Sequence, residues 1–326
     1  MTLPAAAPPT LPLPLPLGRP MREIFGETVA ELATADPRIV MLDGDLGSST
    51  RADIFEKAHP DKYLQMGIAE QNMLGVAAGL ATMGLIPFIS TFVSFAVVRP
   101  LDQVRLLIAQ TGLNVKITPG YAGLFTGQTG MSHIIVDDMS IMRAMPGMVT
   151  VSPADDVEAR QALQWAASYE GPCYVRLVRD ATARLFSEDY RFEFGKAVEV
   201  RRGTDVTIFS TGAQTPRTVA AAELLAADGI DAHVIHLPTI KPLDVEAIVA
   251  GAERTGRVIT VEEHTVIGGL GGAVAETLSE HRPTRVDRIG LRDLYPESGP
   301  NDALLDIYGL SPSRVAEQVR EILRRP

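Results

Sequence analysis

From residue 21 onward this chain changes its hydrophobic period again and again, and that alternation constrains its fold more than any other feature of its 326 residues. Residues 21–35 place Ile24, Val29 and Leu32 at helical spacing, and Ile39-Val40-Met41-Leu42 then forms an unbroken apolar run, the pattern of a strand buried on both faces. A turn-rich segment follows, Asp43-Gly44-Asp45-Leu46-Gly47-Ser48-Ser49. The cycle repeats with a strand at 63–66, a helix at 69–83 whose Ala and Gly residues suit close helix packing, a strand at 86–90, a helix at 95–110 and a strand at 114–118. Residues 119–134 show neither period and carry Gly120, Gly123, Gly127 and Gly130. A loop of that length inside a compact unit is usually functional or mobile. Strands at 149–151 and 174–177 flank a helix at 155–169. Strands alternating with helices predict an α/β fold whose mostly parallel sheet is covered on both faces. Ligands of such sheets bind at the carboxyl ends of the strands. The turn after Leu42, the turn at Gly67 and the 119–134 loop all follow strands, so they are expected to converge on one edge.

The length suits two domains. Residues 1–20 read as a flexible tail rich in Pro, 21–185 as a first α/β domain, 186–200 as a linker and 201–326 as a second domain. In that second domain strands are expected at 206–209, 232–237 and 257–261, and helices at 214–227, 244–254 and 272–281. Gly268-Gly269-Leu270-Gly271-Gly272 does not fit the dinucleotide fingerprint, and tight strand–helix packing explains it better. The formal net charge of −10 argues against sequence-independent binding to a nucleic-acid backbone, which needs a basic surface. Cys173 is the single cysteine, so no intrachain disulfide exists, and its apolar surroundings predict a buried structural thiol. No apolar run approaches a bilayer span, and the first twenty residues lack the form of a signal peptide. A cytoplasmic protein is the expectation.

Three features of the first domain invite chemistry. Glu70 precedes a helix of small residues, Phe92 and Phe95 follow a strand, and His133 closes the glycine-rich loop with Asp137 and Asp138 behind it. Each has an ordinary explanation: a first-turn glutamate favoured by the helix dipole, core packing, and a satisfied loop histidine. No Gly-x-Ser-x-Gly elbow and no metal-ligand spacing is present.

The wording around these residues carries further. Gly67-Ile68-Ala69-Glu70-Gln71-Asn72, Ala77-Ala78-Gly79-Leu80-Ala81, Thr91-Phe92, Asp102-Gln103-Val104-Arg105 and Gly130-Met131-Ser132-His133 closely resemble the pyrimidine-binding domain of transketolases, in the thiamine-diphosphate superfamily. The resemblance runs from about residue 21 to 180, and residues 200–326 look like the family's C-terminal domain. The family's diphosphate-binding domain, with its Gly-Asp-Gly motif, has no counterpart here. Gly44-Asp45-Leu46 echoes that motif only superficially. The chain therefore resembles the second subunit of a split transketolase.

That resemblance implies thiamine diphosphate as cofactor, with Mg2+ or Ca2+ held mainly by an N-terminal diphosphate-binding partner subunit in an α2β2 heterotetramer. It implies a cofactor site of Asp45, Glu70, Phe92 and Phe95, with Glu70 on the aminopyrimidine N1′ and Val98 where a third aromatic often stands. A desolvated carboxyl group is suited to sharing that proton. His133 would act as acid, base or orienting group on the sugar hydroxyls. The expected reaction is transfer of a two-carbon ketol unit from an anionic ketose to an aldehyde. Arg22, Ser49 and Arg179, with Arg176 as the alternative to Arg179, stand where the family binds a sugar phosphate. Tyr121 replaces a histidine and Thr129 an aspartate in the substrate half, which implies a non-standard donor or acceptor. The competing readings are the β subunit of a 2-oxoacid dehydrogenase, a deoxyxylulose-phosphate synthase, and a non-catalytic structural or regulatory subunit.

Overall fold

A computed structural model describes residues 14–325. The first half contributes β1 (Leu17–Pro20), β2 (Ile39–Asp43), β3 (Tyr63–Gln65), β4 (Ile86–Ser90), β5 (Lys116–Ile117), β6 (Val149–Val151), β7 (Cys173–Val175) and β8 (Ala181–Ala183). The second contributes β9 (Val198–Arg201), β10 (Val206–Ser210), β11 (Ala232–His236), β12 (Thr239–Lys241), β13 (Val258–Thr265) and β14 (Val286–Leu291). One sheet has the order β12-β6-β7-β5-β4-β2-β3 and the other β14-β13-β10-β11-β9. All pairings in them are parallel except β12 with β6 and β9 with β11. Every residue of β2 and of β4 is buried, as strands covered by helices on both faces require.

Several expectations change in detail. Of the segment read as a tail, Leu17–Pro20 pairs antiparallel with β8, and residues 1–13 lie outside the described residues. The helix expected at 95–110 is three pieces, Val93–Val97, Leu101–Gln103 and a π-helical turn Val104–Ala109. Pro100 separates the first two, because a proline interior to a helix lacks the amide its hydrogen bond needs. The strand expected at 114–118 shrinks to Lys116–Ile117. Within the expected loop, Gly123–Thr129 winds into a 3-10 run with Leu124 and Phe125 buried. In the helix Glu70–Thr82 a Cβ at Gly75 or Gly79 would meet nothing within 4 Å, so those glycines serve no close packing within this chain. The segment 186–197 is irregular but pinned. The Leu185 and Phe186 amides donate to Asp155 at 2.7 Å each, and Phe194 stacks on Trp165 at 4.5 Å. Cys173 is fully buried, as expected.

A shared sheet and a buried ionic cluster are among the features that join the halves. β12, from the second half, forms the edge of the first sheet. Beneath the glycine-rich loop lies a buried ionic cluster. Arg176 donates to Asp138 at 2.8 Å and to the Glu263 carboxylate and carbonyl at 3.1 Å each, and the Tyr174 hydroxyl donates to Asp138 at 2.6 Å. Glu263 also accepts from the Leu124 amide. Burial opposes ionisation of Asp138, but Arg176 foremost, with His264 and Tyr174, outweighs it and lowers the carboxyl pKa. A buried charge kept this way needs its partner, since removing one side strands the other.

Candidate functional site

The site forms where the chain leaves β2, β3, β4 and β5. Asp43 ends β2 and orders the next turn: its carboxylate accepts from Ser90 Oγ at 2.8 Å and from the Leu46 amide at 2.9 Å. Gln65, ending β3, stitches two turns together. Its Oε1 accepts from the amides of Asp45 at 3.1 Å and Gly67 at 2.9 Å. Gly67 has φ +69°, the left-handed turn that glycine makes without steric cost. The chain then enters the helix Glu70–Thr82, and Glu70, its first residue, is only 4% exposed. After β4, Phe92 bridges to Gly120 beyond β5, so these two loops run side by side.

From Glu70 a continuous row of side chains crosses the sheet edge. Glu70 Oε1 accepts from Arg99 Nη1 at 2.9 Å, and Oε2 accepts no hydrogen bond among the described residues. The Arg99 guanidinium lies 3.9 Å above the ring of Phe95, a cation–π geometry. Phe95 and Phe92 are 5.7 Å apart and nearly parallel, and Phe92 stacks on Tyr121 at 3.8 Å. His133 meets both phenylalanines edge-on, at 5.8 Å from Phe92 and 5.2 Å from Phe95, and its Nδ1 is 2.8 Å from Ser132 Oγ.

Beyond Tyr121 the row becomes polar. The Tyr121 hydroxyl donates to the Ser49 carbonyl at 3.3 Å and accepts from Arg179 Nε at 3.1 Å. Arg22 Nη1 reaches the same carbonyl at 3.4 Å, while its Nε is buried without a partner among the described residues. Burial works against the charge of Arg179, but the Tyr121 hydroxyl and Asp180 carboxylate outweigh it and raise its pKa. Tyr121 has φ +68°, an unusual conformation for a bulky residue, of the kind that clusters at functional sites. An open cavity of about 390 Å³ is lined by Ser49, Phe92, Tyr121, Thr129 and Arg179.

The structure thus brings Ser49, Phe92, Tyr121, Thr129 and Arg179 around one cavity, with Arg22 behind Ser49 and Glu70, Phe95 and His133 along the aromatic row. Thr129 turns its hydroxyl back to the Thr126 carbonyl at 2.6 Å. Asp45 stands apart from the row: it is exposed with φ +64°, and only its turn, through Gln65, neighbours that of Glu70. Of the two arginines, Arg179 lines the cavity, whereas Arg176 is 3% exposed and held by the ionic cluster. Two residues escaped the sequence reading. Arg99 had a weak signal, four positions beyond Phe95 and next to a proline. Asn301, which also lines the cavity, had none. Among the described residues no group of three or more His, Cys, Asp or Glu could hold a metal ion.

Two family models match the chain: "Transketolase, pyrimidine binding domain" over residues 18–184 and "Transketolase, C-terminal domain" over 195–315. The chain is 41% identical to the 6-deoxy-6-sulfo-D-fructose transketolase subunit SqwH of Clostridium sp. (strain MSTE9), covering 94% of this chain and 95% of that one. It is 37% identical to an apulose-4-phosphate transketolase subunit of Phocaeicola vulgatus, covering 93% and 97%. Among solved structures it is similar to one described as "Split gene transketolase, inactive beta4 tetramer", at 44% identity and TM-score 0.86, covering 94% of this chain and 100% of that one.

Proposed function

This chain belongs to the transketolase family, and from that premise we propose that it is the pyrimidine-binding subunit of a split transketolase, moving a two-carbon ketol unit from a non-standard, anionic ketose to an aldehyde. The row from Glu70 through Arg99, Phe95, Phe92 and Tyr121 to Arg179 carries this reading. A buried carboxylate with a free oxygen, next to flat aromatic faces, suits an aminopyrimidine, which needs an anionic hydrogen-bond partner and a stacking surface. When bound, thiamine diphosphate supplies the carbanion chemistry at the ketose carbonyl. Glu70 holds a shared proton at the N1′ ring nitrogen, Phe92 and Phe95 fix the ring's tilt and exclude water, and Asp45 contributes from its turn. His133 orients the reacting hydroxyls and is placed to move a proton at them. Arg22, Ser49 and Arg179 receive the anionic far end, and Tyr121 and Thr129 shape that end for an unusual sugar. The relatives named for sulfofructose and apulose phosphate support such a donor.

Glu70 and the aromatic row supply half of a cofactor site. An N-terminal subunit would add the diphosphate contacts and the Mg2+ or Ca2+, in a cytoplasmic α2β2 assembly. Ile68, Val98, Leu101, Leu106 and Leu107 are exposed on the elements beside Glu70, the kind of apolar surface a partner covers. Among the described residues no helix is long and apolar enough to cross a membrane. The test is reconstitution with the N-terminal subunit, thiamine diphosphate and Mg2+. Ketol transfer is expected from the mixture and none from the chain alone. Full activity in the chain alone would refute the split arrangement, and turnover of ordinary pentulose phosphates at normal transketolase efficiency would refute the non-standard donor.

A further inference from the structure

Part of the cavity wall comes from the other half of the chain. Pro300, Asn301 and Asp302 line it together with Thr126, Gln128 and Asp180. Asn301 opens the short helix Asn301–Ile307, and its amide is fully engaged. Its Oδ1 accepts from the Gly127 amide at 3.0 Å, and its Nδ2 donates to the Phe125 carbonyl and to Asp180 Oδ2, both at 3.0 Å. The backbone partners fix which end of the side chain is oxygen, because Gly127 N–H needs an acceptor and Phe125 C=O needs a donor. Beside it the Gly299 amide donates to the Gly127 carbonyl at 3.1 Å, and a Cβ at Gly127 would collide with Leu304. The second half therefore grips the substrate-facing loop on both sides of Gly127.

The third bond of Asn301 has a different consequence. Asp180, held by Asn301 through Oδ2, accepts from Arg179 Nη1 through Oδ1. Arg179 Nε is taken by the Tyr121 hydroxyl. Two of its five N–H groups are thus used by the protein, and those of Nη2 have no partner among the described residues. An arginine binds a phosphate most strongly as a fork, with two parallel N–H groups. With Nε held by Tyr121 the fork of Nε and Nη2 is closed, and the pinned carboxylate of Asp180 on Nη1 offsets the charge of the guanidinium. Asp302, the other acid on this wall, is 3.5 Å from Arg217.

We infer that Asn301 is a specificity-positioning residue: by fixing Asp180 on Arg179 it offsets the positive charge at the far end of the cavity, which then favours a monoanion such as a sulfonate over a phosphate dianion. The inference rests on the transketolase reading above. It is tested in the reconstituted complex with three donors: 6-deoxy-6-sulfofructose, fructose 6-phosphate of the same carbon skeleton, and erythrulose, which is too short to reach the wall. Asn301→Ala and Asp180→Asn are both expected to lower the ratio of kcat/KM for the sulfonate over the phosphate by about tenfold, chiefly through KM for the phosphate. In Asp180→Asn, which leaves the bonds of Asn301 to the loop in place, erythrulose kcat and KM should stay within about twofold. An unchanged ratio, or an equal loss on all three donors, overturns the inference. Hydrogen exchange on the chain alone probes the grip without activity. Asn301→Ala should speed exchange of residues 123–130 while β10 and β13 stay protected, and unchanged exchange there overturns it. If the wild-type complex turns over none of the donors, the functional reading fails instead, and exchange alone decides whether the grip exists.

Discussion

Glu70 acts through its surroundings. A first-turn carboxylate gains a few tenths of a kcal/mol to about 1 kcal/mol from the helix dipole, too little to explain why one is kept 4% exposed beside an arginine that is itself half exposed. Arg99 satisfies one oxygen from the solvent side and lies flat on Phe95, so the carboxylate is held in place with Oε2 to spare. Glu70→Ala in the reconstituted complex is expected to cut ketol transfer by a factor on the order of 10²–10⁴, the range for losing a positioned proton-transfer group, while the thermal unfolding of the chain hardly moves. Activity within a few-fold of wild type would reduce Glu70 to a structural residue. Tyr121 is the second residue whose chemistry is separable. Its backbone stays left-handed, which costs roughly 1–2 kcal/mol for a residue with a Cβ, because stacking on Phe92 and two hydroxyl contacts hold it there. Tyr121→Phe keeps the stack and frees Arg179 Nε. The expected outcome is a changed KM for anionic donors with kcat nearly constant, read from initial rates; a fall in kcat alone would put the hydroxyl at the reacting end.

At the scale of elements, the glycine-rich run Gly123–Thr129 is shaped by what lies under it. Gly123 has φ +61°, and a Cβ there would overlap the Glu263 carboxylate, which is bound to Arg176 and to the Leu124 amide. Gly123→Ala therefore adds backbone strain and also pushes Glu263 off a buried arginine. The two effects together are expected to cost about 3 kcal/mol or more, measured as the urea midpoint of the chain. Gly75→Ala is the control. It lies within a helix with open space around it, so the same change should stabilise the chain by about 0.5–1 kcal/mol. Equal effects at the two positions would mean that the ionic cluster does not support the loop. The same elements show what a sequence can convey. β2 and β4 were legible because runs buried on both faces are apolar, here up to the last residue of each strand. The broken helix after Phe92 was not, because Val98, Leu101, Leu106 and Leu107 keep it apolar on its exposed side and hide the break at Pro100. β12 is three residues long and pairs across the domain boundary, so it has no local period to read. Glu70, Phe92 and His133 were singled out through the words around them. Asn301 was not, because a side chain that binds backbone groups more than 170 positions away leaves no pattern near itself.

For the whole molecule, the junction of the two halves sets how stability responds to acid. His264, on β13, is fully buried where the halves meet. Its Nε2 lies 3.1 Å from the Met139 amide and its Nδ1 2.8 Å from the Thr265 carbonyl. Those partners require Nε2 to accept and Nδ1 to donate, which is the neutral imidazole. A proton on Nε2 would face the Met139 N–H and break the bond between the halves. Burial is the main cause that lowers the His264 pKa to about 4, from 6.5, against the pull of Asp138. Below pH 6.5 the unfolded histidine binds a proton that the folded one refuses, so stability is lost as pH falls through the window from 6.5 to 4 and is fully present above it. Between pH 7 and pH 5 the loss from this one group is about 2 kcal/mol. Glu262, its neighbour on β13, works in the opposite sense. Burial raises its pKa to about 7 from 4.5, so the fold is favoured by its protonation and loses stability as pH rises from 4.5 to 7. The two groups partly cancel in the wild type, and only a variant separates them. His264→Gln keeps an acceptor for Met139 but cannot titrate, so it should gain stability relative to wild type by about 2 kcal/mol between pH 7 and pH 5, whatever its cost at neutral pH. Urea unfolding of both proteins at the two pH values gives the difference directly. Parallel losses in the two proteins would mean that His264 carries its proton in the fold and that the halves are not joined through a neutral imidazole.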